Sequence, residues 1–218
     1  MKKLTIISIC FCLVQFAVAQ NGGKNIYDFL QFPISSRTEG LGGGLQSIKT
    51  KTDADLSLAI ANPALLDSSF HKQLSLTNSF YIDKTNIGNI SFAYFHPKIK
   101  STLAYTMQYA AYGKFDGRDA AGNSTGTFSA TDFNFQVGVG RNWNRFYYGV
   151  NIKFIVSNLA SNTSIGLASD VALGYHNPKT NWTATVILRN AGAELKPYIK
   201  GDSRQKLPLQ LDISFSKR

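Results

Sequence analysis

The chain's 218 residues carry 23 Lys and Arg against 13 Asp and Glu, a formal net charge of +10, and include only two cysteines. The composition is rich in Gly, Tyr, Phe, Ser, Thr and Asn and poor in Glu, which weighs toward strands and against helices. Both cysteines, Cys10 and Cys12, fall in the apolar N-terminal stretch, so a disulfide framework is excluded for the rest of the chain.

Lys2 and Lys3 precede an apolar run from Leu4 to Val18 that ends in Ala17-Val18-Ala19, the pattern of a secretory signal peptide over residues 1–19, cleaved before Gln20. The run is too short for a stable membrane anchor, and neither cysteine has the small preceding residue of a lipoprotein cleavage site. Loss of Lys2 and Lys3 would leave a mature charge of +8. A basic surface favours anionic partners, and for an exported chain nucleic acid is improbable, leaving lipopolysaccharide phosphates or simply solvated turn charge.

Residues 20–72 read as a compact, irregular segment. A turn or two of helix is predicted from Ile26 to Phe32, stopped by Pro33, before a run of glycines at Gly40, Gly42, Gly43 and Gly44. A second helix is predicted from Asp53 to Ile60, ended by Asn62-Pro63 because the residue before proline avoids helical geometry.

From Gln73 onward, eight stretches alternate apolar with small or polar side chains, at about 73–81, 89–96, 102–113, 132–141, 146–156, 164–176, 182–189 and 207–216. Side chains on a strand point to opposite faces with period two, so Phe133, Phe135, Val137 and Val139 share one face and Asn134, Gln136, Gly138 and Gly140 the other. No later stretch nears the roughly 18 apolar residues of a membrane helix. Alternation alone fits either a soluble sandwich or a membrane barrel.

Connection lengths favour the barrel: 97–101, 142–145 and 177–181 read as tight turns, whereas 114–130 and 190–206 read as long loops, matching short periplasmic turns and longer outer loops. Tyr94, Tyr109, Tyr112, Phe128, Phe146, Tyr148, Tyr175 and Trp182 fall mostly near strand ends, where interfacial aromatics sit. The predicted fold class is therefore all-β, an antiparallel transmembrane outer-membrane β-barrel over residues 73–218 with a plug-like N-terminal segment. Asn151, Lys153, Asp170 and Arg189 are assigned to its inner face.

Gly40-Leu41-Gly42, the acidic Asp53-Ala54-Asp55 and Asn62-Pro63-Ala64-Leu65 before the first strand are similar to the N-terminal plug of FadL-like outer-membrane barrels. A closer likeness runs along the chain: Tyr27-Asp28-Phe29-Leu30, Pro33 with Ser36-Arg37, Leu41-Gly42-Gly43, Asn62-Pro63-Ala64-Leu65-Leu66, Tyr112 to Asp116, Gly122-Asn123 through Phe128-Ser129-Ala130, and Arg189-Asn190-Ala191-Gly192. These stretches resemble the PorQ proteins of the type IX secretion system in Bacteroidetes. The resemblance implies a non-enzymatic outer-membrane barrel that helps hold a cell-surface attachment complex, in which exported proteins are anchored to lipopolysaccharide. Its partners would be outer-membrane lipid and a surface protein of that complex, with no cofactor.

On that likeness Pro33, Arg37, Leu41, Gly42, Gly43, Asn62, Pro63 and Ala64 are structural motif positions, and Phe115, Asp116, Asp119, Asn123 and Phe128 form a candidate partner-docking loop. The family's barrels are expected to have fourteen strands where eight are read here. An eight-stranded barrel is filled by its own side chains, so the plug must sit outside it or further strands must complete it. The alternative function is a FadL-like channel for hydrophobic compounds.

Catalytic and metal signatures are weak. Gly122-Asn123-Ser124-Thr125-Gly126 matches a nucleophile elbow only as a pattern, since that motif needs a strand before and a helix after Ser124. His71, His96 and His176 are isolated from other ligands, and Asp116, Asp119 and Asn123 fit no calcium-loop spacing.

Overall fold

The computed structural model describes residues 25–40, 55–81 and 84–217. The predicted signal peptide, Leu41, Gly42, Gly43 and Asp53-Ala54 lie outside these described residues. The fold is all-β: one antiparallel sheet in which β1 (Gln73–Phe80), β2 (Asn86–His96), β3 (Ser101–Arg118), β4 (Ser124–Trp143), β5 (Phe146–Leu159), β6 (Asn162–Asn177), β7 (Trp182–Lys196) and β8 (Gln210–Lys217) lie side by side in chain order. Among the described residues β1 pairs only with β2 and β8 only with β7, so the sheet is open between them.

The N-terminal segment keeps to short elements for the reasons its sequence supplies. A 3₁₀ turn at Asp28–Gln31 ends where Phe32, before Pro33, is driven to extended geometry. Helix α1 (Ser36–Gly40) is one the periodicity does not predict, and helix α2 (Leu56–Ala61) starts later than expected because Asp55, not Asp53, is its cap, accepting from the Ser57 amide at 2.9 Å. Asn62 then ends α2 and caps the next turn, Pro63–Leu65, through the Ala64 amide.

This segment lies against one face of the sheet. Thr77 of β1 donates to the Ile34 carbonyl at 2.7 Å, and Arg189 of β7 donates to the Ala61 carbonyl at 2.6 Å. The six-residue helix α2 itself packs against β1 and β2 while its last carbonyls are held from β4, β5 and β7, so the sheet curls around it. Two apolar clusters fill the interface. Leu56, Leu58, Ile60, Leu65, Leu66 and Phe70 pack with Ala93, Ala104, Tyr147, Ala172 and Ile187, and Tyr27 and Phe29 pack with Ile87, Ala110, Ile155 and Ala168. The strands supply mainly small side chains at these points, which leaves room for the segment's large ones.

Closest approach falls at two glycines. A Cβ on Gly140 or Gly149 would lie 2.3 Å from the Pro63 carbonyl oxygen, so only a bare backbone lets the Asn62-Pro63-Ala64 turn seat on β4 and β5. Gly149→Ala is expected to unseat that turn and destabilise the protein by about 1–3 kcal/mol, as overpacking of a filled core does, read by urea unfolding. An unchanged midpoint would show that the turn does not bear on the sheet as described.

The connections differ from the sequence reading. The stretch predicted as a loop over 114–130 is mostly strand: β3 continues to Arg118, β4 begins at Ser124, and only residues 119–123 connect them. A register shift between Ala111 and Lys114 sets Tyr112 and Gly113 against Ala130, and one between Gly117 and Arg118 skips Thr125; Gly113 and the neighbouring Gly126 take left-handed φ of 78° and 100°, and the ladder resumes after each. Backbone pairing persists there although apolar alternation has stopped, which is why the pattern ends too early. Likewise β5 and β6 meet through Ala160 and Ser161, and β7 runs to Lys196, leaving 197–209 as the long connection. One end of the sheet is distinguished by projecting strands rather than by loop length.

Candidate functional site

The two faces of the sheet have opposite chemistry. Cross-strand register places Leu76, Ile90, Met107, Phe135, Phe154 and Leu167 in one continuous outward row over six strands. A neighbouring row runs Leu74, Phe92, Tyr105, Val137 and Ile152. These side chains stand open: Phe135 is 46% and Ile152 50% exposed. Inward neighbours are polar yet buried, with Asn134 at 2% and Asn151 fully covered. An uninterrupted apolar surface of this breadth is far beyond the scattered exposed residues of a soluble monomer.

At the tight-turn end the outward face is aromatic. Phe146 packs edge-on against Tyr175 at 5.2 Å, Tyr175 lies 5.3 Å from Trp182, and Trp143 stands exposed beside them across its pair with Phe146. Phe146, Tyr175 and Trp182 are legible in the sequence as strand-end aromatics, whereas Trp143 is not, because the alternation that marks its strand stops at residue 141.

Inside, the four residues assigned to the inner face come together. Lys153 pairs with Asp170 at 2.8 Å and donates to Asn190 Oδ1 at 2.8 Å. Asn151 donates to Asp170 at 3.0 Å and to the Ile60 carbonyl at 3.1 Å, where Gln136 also donates at 3.2 Å. Arg189 pairs with Asp212 at 2.5 Å while holding the Ala61 carbonyl. Three strand side chains thus take up the orphan carbonyls at the C-terminal end of α2. That clamp is invisible in the sequence, where inward amides look like ordinary polar lining.

The Arg189-Asn190-Ala191-Gly192 stretch is a β-bulge. Register passes from Ser169 opposite Ala191 to Val171 opposite Leu188, so Asp170 faces two residues, and Asn190 takes a left-handed φ of 54°. The bulge lets the Asn190 amide N–H donate to Asp170 at 2.9 Å while its side chain donates to the Pro208 carbonyl at 3.1 Å, tying 197–209 to the network.

A second polar chain ties down Tyr27. Its hydroxyl meets Ser164 at 2.5 Å, Ser164 donates to Glu194 at 2.7 Å, and Glu194 accepts from the Gln205 amide at 2.8 Å. Burial, outweighing the Ser164 hydrogen bond, pushes the Tyr27 phenol from 10.0 up to about 12. The neutral phenol is the folded form. Its contribution to stability is therefore complete below pH 10 and lost as pH rises toward 12, where the unfolded chain ionises first. Tyr27→Phe is expected to flatten that alkaline loss in a pH series of unfolding midpoints. An alkaline slope unchanged by the substitution would remove Tyr27 from its cause.

The motif positions fall where the segment meets the sheet. Pro33 lines the inner cavity, Arg37 pairs with Asp55 at 3.3 Å, and Asn62, Pro63 and Ala64 form the turn seated on Gly140 and Gly149. Of the candidate docking loop, Phe115 and Asp116 are strand residues of β3 and Phe128 of β4, which corrects their placement in a loop; only Asp119 and Asn123 sit in the turn. Phe115 and Phe128 stack at 5.3 Å on the projecting hairpin. Asp119 accepts from the Asn123 side chain at 3.0 Å and from the Asn123 and Ala121 amides at 2.8 and 3.0 Å, and these hydrogen bonds, Asn123's first, hold its carboxyl below the usual range.

No family model and no curated protein matches the chain.

Ser124 begins β4 and is followed by strand, so the backbone lacks the strand-to-helix turn that exposes a nucleophile. His71 lies against Tyr94, and His176 bonds Thr183 at 2.9 Å. Among the described residues no three His, Cys, Asp or Glu side chains converge as a metal site would need.

Proposed function

We propose that this chain is a non-enzymatic outer-membrane β-barrel component of the PorQ kind. Exported by a cleaved signal peptide, it would help hold the type IX attachment complex that anchors secreted proteins to lipopolysaccharide at the cell surface. The observation that carries the membrane part is the inverted polarity of the sheet: an open apolar outer face with an aromatic girdle, and a buried polar inner face. Strands β2 to β7 have 11 to 20 residues, enough for the 9–11 that a tilted strand needs to cross a bilayer. Among the described residues no helix is long and apolar enough to cross.

The clamped segment favours an assembly role over a FadL-like uptake channel. Between it and the sheet lies a cavity of about 310 Å³ lined largely by amides and charges, not the apolar pocket a lipophilic cargo needs. The projecting β3–β4 hairpin, with Phe115 and Phe128 at its flank, is the surface offered to a protein partner.

The deciding experiment deletes the gene and follows secreted cargo in intact cells. Cargo released into the medium and restored to the surface by complementation is the expected result. Complementation with the chain lacking residues 114–130 is expected to give a protein that still shifts on boiling in detergent gels, as folded barrels do, but captures the surface partner poorly. Normal anchoring with altered uptake of lipophilic compounds would overturn the assembly role in favour of the channel. Recovery of the protein as a soluble species would overturn the membrane architecture.

A further inference from the structure

The cavity between the N-terminal segment and the inner face holds two amides whose hydrogen-bonding capacity the protein does not use. Gln108 and Asn134 are 4% and 2% exposed and meet through a single 3.5 Å hydrogen bond, Asn134 Nδ2 to Gln108 Oε1. Gln108 Nε2 and Asn134 Oδ1 are left buried with no partner, and both residues line the cavity. Exchanging O and N on both amides would again leave one unused donor beside one unused acceptor. A buried polar atom without a partner is costly, and here two such atoms belong to residues that line the same space.

The charges around that space are already balanced. Lys153 faces Asp170 at 2.8 Å and Arg189 faces Asp212 at 2.5 Å, so neither an anion nor a cation meets an uncompensated opposite charge there. The missing chemistry is a group that accepts from one amide and donates to the next, which is what a hydroxyl does. Phe32, on the segment's side of the cavity, offers an apolar patch. At about 310 Å³ the space stands at the small end of ligand sites, too small for an acyl chain and its headgroup.

We infer that this cavity binds one small, neutral, polyhydroxylated molecule of monosaccharide size, with a hydroxyl bridging Gln108 and Asn134. The site is independent of the assembly role and of any partner on the projecting hairpin. It would also pin the segment to the sheet, since Gln136, which lines the same space, already holds the Ile60 carbonyl.

The test titrates the purified full-length chain in detergent with D-glucose, D-galactose and D-mannose, using gluconate and octanoate as charged and lipophilic comparators, by saturation-transfer NMR. Saturable binding of at least one hexose, with neither gluconate nor octanoate competing, is expected. Gln108→Leu and Asn134→Leu should each weaken it about tenfold, the loss of one hydrogen bond to a site that then presents methyl groups. Should these variants fail to fold, the wild-type comparison of hexose with gluconate carries the test alone. No saturable binding of any of the three hexoses would mean that the cavity holds water only and would overturn the inference, as would preferential binding of gluconate or octanoate.

Discussion

Phe135→Arg is expected to destabilise the protein by about 2–4 kcal/mol when it is folded into lipid vesicles, the cost of a guanidinium at the bilayer midplane. Phe135 sits mid-strand in the outward row, between Met107 on β3 and Phe154 on β5, and no acidic residue shares that row to compensate the new charge. The same change at Phe146, in the aromatic girdle, is expected to cost only about 0–1 kcal/mol because an interfacial guanidinium keeps its water. The depth dependence is what makes the comparison informative. If the outer face met water, both substitutions would fall within about 0.5 kcal/mol of neutral, as exposed changes do. Equal and small effects in urea titrations from vesicles would sink the membrane assignment. Equal and large effects would mean that the face packs against protein.

Why the faces are legible in the sequence is a matter of periodicity. From Phe133 to Gly140 the strand alternates without interruption, and the structure keeps that alternation: Phe135, Val137 and Val139 stand outward and open, while Asn134 and Gln136 are buried. Each of the eight stretches predicted as a strand contains one, the last beginning at Gln210 rather than at residue 207, in a sheet ordered as the chain is. What fails is the assumption that a strand ends where its apolar residues end. Between Lys114 and Ser129 the residues are polar or small apart from Phe115 and Phe128, yet Lys114 pairs with Ser129 and Asp116 with Thr127. A ladder is made by backbone groups and needs no apolar face once the strand projects past its neighbours.

The inner network is half legible. Asn151, Lys153, Asp170 and Arg189 share a face by simple parity within their own strands, but parity cannot say which strands lie opposite which residues. Asp170 meets both Lys153 and Asn190 because β6 is flanked by β5 and β7 and because the bulge puts two residues of β7 against one of β6. Pairing and bulge are long-range facts. The role of Gly140 and Gly149 is equally hidden, since a glycine in a strand reads as a weak position until the partner backbone above it is known.

The buried pair gives the largest effect expected of a single side chain. Lys153→Met should cost about 3–5 kcal/mol, because it leaves the Asp170 carboxylate buried without the cation bonded to it. Asp170 would keep the Asn151 side chain and the Asn190 amide as donors, but neutral donors do not repay the desolvation of a full charge. Adding Asp170→Asn removes the second charge while preserving an acceptor for the Asn190 amide, so the double variant should recover at least about 1 kcal/mol relative to Lys153→Met alone. Because the Lys153 and Asp170 strands also meet the segment through Asn151, which holds the Ile60 carbonyl, the single variant should loosen residues 56–66 first, seen as faster amide hydrogen exchange there. Strictly additive losses in the double-mutant cycle would mean that the two side chains do not act as a pair. A full loss of stability with unchanged exchange in 56–66 would mean that the network supports the sheet without holding the segment in it.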